Sequence, residues 1–357
     1  MRGAHWAPTP LLALVEDPVS RPPGLWGQVQ IQNKRQPNPK KQRTKQKFSS
    51  RFTPPVKTNL SSSPSNDITS MGPQAWLASC RVGACVLGKR MATYLLVHGA
   101  WHDERCWELL VPELRAHGHA VHTLTLPGHW DRPLPSYKIS LQRYGNAICD
   151  AARQINEPVI LVGHSMGGMA ISRAAETHPE LFEQLVYLTA YLPRLNKWTR
   201  LRSLVISDKD TQLWPAVQTD WLRFRTTLRP DHADDLLYHD CDEEISAKAV
   251  ERLCSQSGFP LVVHDRITEK GAGSRPMTYI ECLQDRVISL GLQKRMQMHA
   301  PFHRVLSINS SHSPFLSQPR TLAGLLHQLS DEDGTVPIPT SRKLALIESN
   351  REYAASL

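Results

Sequence analysis

The sequence predicts an α/β fold: a mostly parallel central sheet flanked by helices, with a helical cap inserted before one of the last strands. Three observations carry this. Short apolar runs of strand length alternate with helical stretches from residue 93 onward. Several of these runs close on Gly or Pro. Between about 194 and 275 the alternation gives way to a longer polar stretch. Strands separated by helices run parallel and are covered on both faces, so their sequences are apolar throughout.

The elements follow in order. Thr93–Val97 is apolar, ends in His98-Gly99, and reads as a buried strand entering a loop. Residues 107–117 have the pattern of an amphipathic helix, and 120–126 form a second strand closed by Pro127-Gly128. Residues 140–154 are helical; 158–162 are a third apolar strand, followed by Gly163. The helix 166–177 is rich in Ala and Met, and the strand 185–191 stops before Pro193. Two later strands cover 277–283 and Arg304–Ile308, and 319–329 is a final helix. The stretch 194–275 carries Trp198, Trp214 and Trp221, with a helix over roughly 243–255. That helix opens on Glu243-Glu244, where the helix dipole favours acids. An insertion of this length between sheet strands is most simply a cap. Residues 331–357 form a polar tail with no assigned role.

Composition narrows the functional classes. The 357 residues are 40% hydrophobic, enough for a sizeable core, and no stretch approaches the ~18 apolar residues of a membrane span. The net charge of +9 is unevenly placed. Residues 1–90 hold 14 of the 42 Lys+Arg and 3 of the 33 Asp+Glu, leaving 28 basic against 30 acidic residues in the remainder. Residues 1–90 are also rich in Pro, Ser, Gln and Lys, without sustained periodicity, and read as a disordered basic extension. Three origins fit it: a basic tail, an organelle transit peptide, or upstream sequence before a start at Met91. The folded domain is expected over 91–330. The basic run has no interleaved aromatics and no recognisable nucleic-acid module, which argues against nucleic-acid binding. The seven cysteines are odd in number and form no C-x-x-C pair. That fits a reducing, cytoplasmic setting and no metal site.

The chemistry concentrates at Gly163-His164-Ser165-Met166-Gly167-Gly168, between an apolar strand and a helix. In that setting G-x-S-x-G marks a nucleophile elbow. The tight turn lifts the serine hydroxyl clear of the sheet, the flanking glycines remove clashing side chains, and the helix N-terminus favours developing negative charge. Serine needs a base, and the base needs an orienting carboxylate. Asp285 lies just beyond the strand 277–283, and His312 just beyond Arg304–Ile308. All three therefore fall at carboxyl ends of sheet strands, where α/β sheets bind ligands. The backbone N–H groups of Ala100 and Met166 are the expected oxyanion donors. Trp101, His102, His164 and Trp198 are assigned to the substrate pocket. His98 is read as a structural loop residue, and His117, His119, His122 and His129 as loop or surface residues without metal-ligand spacing.

These residues together resemble the α/β-hydrolases that include plant methylesterases, hydroxynitrile lyases and bacterial pyrethroid-hydrolase-like carboxylesterases. The resemblance covers about residues 92–329. It rests on the runs beginning Leu95-Leu96-Val97-His98-Gly99-Ala100-Trp101-His102 and Val159-Ile160-Leu161-Val162-Gly163-His164-Ser165. It rests equally on Leu188-Thr189-Ala190-Tyr191-Leu192-Pro193, Tyr279-Ile280-Glu281-Cys282 leading to Asp285, and Ser311-His312-Ser313-Pro314-Phe315-Leu316. The cap run Tyr238-His239-Asp240-Cys241 is similar to bacterial members. The lyases of this group carry a lysine after the catalytic histidine and a threonine in the first oxyanion loop. Here those positions are Ser313 and Gly99, which argues against cyanohydrin cleavage.

The resulting expectation is a carboxylesterase or methylesterase-like enzyme that hydrolyses a small apolar or aromatic ester. It works through Ser165, His312 and Asp285 with an acyl-enzyme, and needs no metal or organic cofactor. The resemblance also implies a possible homodimer. A non-catalytic, hormone-like binding protein on the same fold is the main alternative, with hydroxynitrile lyase behind it.

Overall fold

The computed structural model describes residues 91–330; the expectations for 1–90 and 331–357 lie outside the described residues. In chain order the first half comprises β1 (Thr93–Val97), α1 (Leu110–Ala116), β2 (Ala120–Leu124), α2 (Leu141–Ile155), β3 (Val159–His164), α3 (Gly167–Thr177) and β4 (Phe182–Leu188). The inserted stretch follows with β5 (Thr199–Arg200), α4 (Leu201–Ser207), β6 (Val217–Asp220), β7 (Arg225–Leu228), α5 (Pro230–Leu237), α6 (Glu243–Glu251), β8 (Gln256–Ser257), α7 (Phe259–Val262) and β9 (His264–Asp265). The fold closes with β10 (Met277–Cys282), α8 (Leu290–Gln297), β11 (Arg304–Ile308), α9 (Pro314–Ser317) and α10 (Pro319–Ser330).

Six strands form the central sheet in the order β11-β10-β4-β3-β1-β2, every pair parallel. β3 and β10 are buried at every residue, as apolar strands covered on both faces must be. The chain runs from β1 outward to β2 and returns to β3 on the other side of β1. That reversal opens a crevice at the carboxyl ends of β1 and β3, the place where such sheets bind ligands. The flanking helices are amphipathic for local reasons. Ser140 caps α2 by accepting from Arg143 N–H at 3.1 Å, and Asn156 ends it in the left-handed region with φ 63. Its buried stripe of Leu141, Tyr144, Ile148, Cys149 and Ala152 faces inward at helical spacing.

The expected elements are present, with shifted ends. β4 begins and ends three residues earlier than the run 185–191. Its opening Phe182-Glu183-Gln184 is half polar and lacks an apolar signature, while Thr189 turns into the left-handed region (φ 34) and leaves the sheet. The stretch 107–117 starts with a 3-10 turn, Glu104–Trp107, capped by Asp103, before α1 proper. The cap differs most. It contains helices, as expected, and also an antiparallel sheet β6-β7-β8 and a two-stranded pair β5-β9. β6 and β7 read Val-Gln-Thr-Asp and Arg-Thr-Thr-Leu, too polar to register as strands.

Candidate active site

The turn between β3 and α3 is built on Ser165, which has φ 55 and is only 4% exposed. A left-handed serine costs of order 1–3 kcal/mol and persists only where its surroundings fix it. Here Ser165 N–H donates to Leu188 O at 3.3 Å, while Ser165 O accepts from Gly168 N–H and Tyr191 N–H, both at 3.0 Å. The approach of neighbouring backbone demands glycine: a Cβ at Gly167 would lie 2.7 Å from His98 O.

Asp285 and His312 are brought together beyond β10 and β11. His312 Nδ1–H donates to Asp285 Oδ2 at 2.7 Å, and both side chains are buried. Asp285 also accepts from Val287 N–H at 2.7 Å and Ile288 N–H at 2.9 Å on Oδ1, and from Thr189 Oγ1–H on Oδ2. Four donors thus satisfy a carboxylate withdrawn from water. Thr189 is a member of the site that composition and spacing could not reveal; its left-handed turn after β4 is what aims the hydroxyl. The His312 loop reaches the elbow through His164, whose Nε2–H donates to His312 O at 2.9 Å. The two imidazole rings lie 4.6 Å apart. His312 Nε2 makes no hydrogen bond among the described residues, Ser165 Oγ included. Such bonds are often loose until substrate is bound.

The loop after β1 lies against the same serine. A Cβ at Gly99 would sit 2.7 Å from Ser165 Cβ, so no side chain fits there. Trp101 is left-handed with φ 62. The amides of Ala100 and Met166 meet no acceptor among the described residues. His98 is buried, and its ring is committed on both sides. Nε2 accepts from Leu126 N–H at 3.0 Å, which leaves the proton on Nδ1 to donate to Gly99 O at 2.8 Å. Burial, reinforced by His129, holds its pKa well below the usual value. His98 is therefore a neutral structural residue, as its loop position suggests.

The four residues assigned to the pocket divide. Trp101 is buried, with Nε1–H donating to Thr226 Oγ1 at 3.2 Å. His102 is buried with its pKa lowered to about 4 by burial, and its Nδ1–H donates to Ala100 O at 2.9 Å. It lines a small surface cleft together with Asp103, Cys106, Tyr238, Arg252 and Leu316; Ser165 does not line that cleft. His164 is fully buried beneath the His312 loop, and its Nδ1 has no partner. Burial and the neighbouring His312 and His102 hold it neutral. Its position is a support. Trp198 is 63% exposed, and its ring packs against the Arg266 guanidinium at 4.9 Å. His119 and His129 sit in loops, as expected, and both are buried there. His119 Nδ1 accepts from Ala92 N–H, and His129 Nε2 bonds to Gln256 Oε1. Their polar appearance hid hydrogen bonds made across the fold.

Among the described residues no group of three or more His, Cys, Asp or Glu is arranged to hold a metal, and no helix is long and apolar enough to cross a membrane. The five cysteines among these residues are free.

Comparison with known proteins gives the chain its relatives and its family. A pyrethroid hydrolase from Sphingobium wenxiniae is 28% identical over 66% of this chain and 87% of its own length. Methylesterase 2 from Arabidopsis thaliana is 27% identical over 68% of this chain and 97% of its own. The crystal structure of a pyrethroid hydrolase from Sphingobium faniae superposes with a TM-score of 0.62 at 26% identity, covering 68% of this chain and 98% of that one. The sequence model of the alpha/beta hydrolase family matches residues 94–325. The chain belongs to the alpha/beta hydrolase family.

Proposed function

We propose that this protein is a serine carboxylic-ester hydrolase with Ser165 as nucleophile, His312 as base and Asp285 as the orienting acid. The observation that carries this reading is the buried His312–Asp285 hydrogen bond at 2.7 Å, with the His312 loop tied through His164 to the turn of a left-handed Ser165. With Nδ1–H engaged by Asp285, the other ring nitrogen of His312 is the acceptor, the tautomer a base requires. His312 takes the Ser165 proton as Oγ attacks the ester carbonyl. The tetrahedral oxyanion is held by the amides of Ala100 and Met166, with the N-terminus of α3 adding its dipole. His312 then protonates the departing alcohol. Water attacks the acyl-enzyme with the same base, and Ser165 is regenerated. Each covalent step is balanced by one proton carried on His312 Nε2, so the residues named suffice for ester cleavage.

The names of the relatives, a pyrethroid hydrolase and a methylesterase, support esters of small apolar or aromatic groups as substrates. The lyase reading loses ground on local sterics. Gly99 has no room for the threonine side chain that the lyases carry, and Ser313 supplies no cation. The test is hydrolysis of p-nitrophenyl acetate, butyrate and octanoate by the full chain and by Ser165→Ala. The expected outcome is turnover that falls by about 10⁴ or more in the variant. Tight binding of such ligands without turnover by the unaltered chain would instead favour the binding-protein reading.

A further inference from the structure

The end of α5 carries the sequence Tyr238-His239-Asp240-Cys241, and nothing in the catalytic scheme uses it. Its side chains point to two different loops of the site. Tyr238 is buried, and its hydroxyl lies 2.8 Å from His102 Nε2. The other ring nitrogen of His102 faces Ala100 O, which can only accept. The proton therefore sits on Nδ1, and Nε2 accepts from Tyr238 O–H. Asp240 Oδ2 accepts from Ser311 N–H at 2.9 Å, and Ser311 Oγ–H donates to Leu237 O at 3.0 Å. Ser313 N–H closes the turn on Ser311 Oγ at 3.3 Å. One segment of four residues thus grips the Ala100 loop through His102 and the His312 loop through Ser311.

We propose that Tyr238 and Asp240 are positioning residues: they brace the oxyanion loop and the base loop against each other, so that the cap sets the geometry of both. This rests on the esterase reading above for its catalytic consequence. The physical argument concerns the peptides on either side of Ala100. The Gly99–Ala100 peptide, which bears the oxyanion N–H, is fixed through Gly99 O by His98. The Ala100–Trp101 peptide is fixed through Ala100 O by His102, and behind His102 stands Tyr238. Trp101 is left-handed, so this second peptide has a reason to turn over once released. Turning it over would displace Ala100, whose N–H is the proposed oxyanion donor. On the other side, Ser311 directly precedes His312. Freeing its amide from Asp240 loosens the residue that must present Nε2 to Ser165.

The experiment uses the full chain and three variants, Tyr238→Phe, Asp240→Ala and Asp240→Asn. Phenylalanine keeps the packing of Tyr238 and removes only the hydroxyl donor. Misplacement on an ångström scale lowers rate by up to about 100-fold, so kcat on p-nitrophenyl butyrate should fall about 10-fold or more in Tyr238→Phe and in Asp240→Ala. KM should stay within about 2-fold, because the loss lies in the transition state. Asp240→Asn keeps an acceptor oxygen for Ser311 N–H and should recover most of the rate. Amide hydrogen exchange adds a readout that does not need turnover. Exchange should quicken over 98–102 in Tyr238→Phe, and over 309–313 in Asp240→Ala but not in Asp240→Asn. Unchanged exchange in both loops overturns the brace, whatever the activity. A rate loss carried by KM, or equal losses in Asn and Ala at 240, overturns its positioning role. If the unaltered chain cleaves no ester while the exchange pattern holds, the esterase reading fails and the brace stands.

Discussion

The two halves of this site are held by different forces. On the sheet side, Ser165, Asp285 and His312 follow β3, β10 and β11, and β3 and β10 are buried along their whole length. Apolar burial, at roughly 25 cal/mol per Å², fixes those strands and carries the loops with them. On the cap side, β6 and β7 are polar and half-buried, and the segment is tied down by side-chain hydrogen bonds. Arg225 alone donates to Ser136 Oγ, Ser255 Oγ, Gly128 O and Leu134 O. The lesson is one of tolerance. The sheet side specifies position through many weak contacts that no single residue controls. The cap side specifies it through few directional bonds, so single substitutions there should have graded and separable effects.

The sharpest break falls at Asp285, a charged group buried on the sheet side. In Asp285→Asn the amide oxygen remains the acceptor for Val287 and Ile288 N–H, since both donors meet Oδ1. The amide NH₂ then faces His312 Nδ1 and cannot accept from it. The ring is driven to the other tautomer, with its proton on Nε2, where it no longer serves as a base. A loss of about 10⁴ in kcat is expected, by analogy with the wrong-tautomer effect in serine proteases. Steady-state hydrolysis of p-nitrophenyl butyrate measures it. A loss below about 10-fold would remove Asp285 from the mechanism.

Acid should separate the two regions in a second way. His98, His102 and His164 are buried around the site, and their pKa values are lowered in the folded chain, His102 to about 4. Unfolding exposes them to water, where each binds a proton near pH 6.5. The unfolded state therefore holds more protons between pH 6.5 and about 4, and stability falls as pH drops through that window. Each such histidine contributes a slope of about 1.4 kcal/mol per pH unit within it. The thermal midpoint should be level above pH 7 and decline from about pH 6.5, earlier than carboxylate titration alone would bring it down. A midpoint that stays level to pH 5 would show that these rings are not held neutral.

The same contrast explains what the sequence reveals. Apolar runs bounded by Gly and Pro announce the sheet because burial on both faces leaves a compositional mark. The elbow is legible because a strained strand-to-helix turn restricts the residue types around Ser165. Asp285 and His312 are legible from their positions just after strands. Thr189 is silent, because its role depends on a backbone turn that any small polar residue would disguise. Tyr238 and Asp240 act at more than 70 residues' remove from their partners, as in the Asp240–Ser311 bond with its separation of 71. No local period records such a bond. Trp198 is conspicuous as a large aromatic, and the sequence gives no sign that its ring rests on Arg266.

Arg225 offers the finest test of the cap's polar anchoring. Its guanidinium reaches from β7 to the loop that follows β2, meeting Leu134 O at 2.9 Å and Ser136 Oγ at 3.0 Å, and to Ser255 Oγ at 2.5 Å beside β8. Leucine in its place would leave two carbonyls and two hydroxyls to find water in a half-buried seam. Hydrogen bonds to a charged group contribute about 1.5–3 kcal/mol each when broken singly. These four share one half-buried side chain, so Arg225→Leu should destabilise the fold by about 2–3 kcal/mol, visible as a lower urea midpoint with an unchanged m-value. Because the Arg225 side chain bonds to neither Ser165 nor His312, the catalytic rate of the folded fraction should change less than it does in Tyr238→Phe. A large fall in kcat with no loss of stability would mean that the seam between β7 and the 128–136 loop acts on the chemistry directly, and the division between a positioning end of α5 and a merely anchoring β7 would have to be withdrawn.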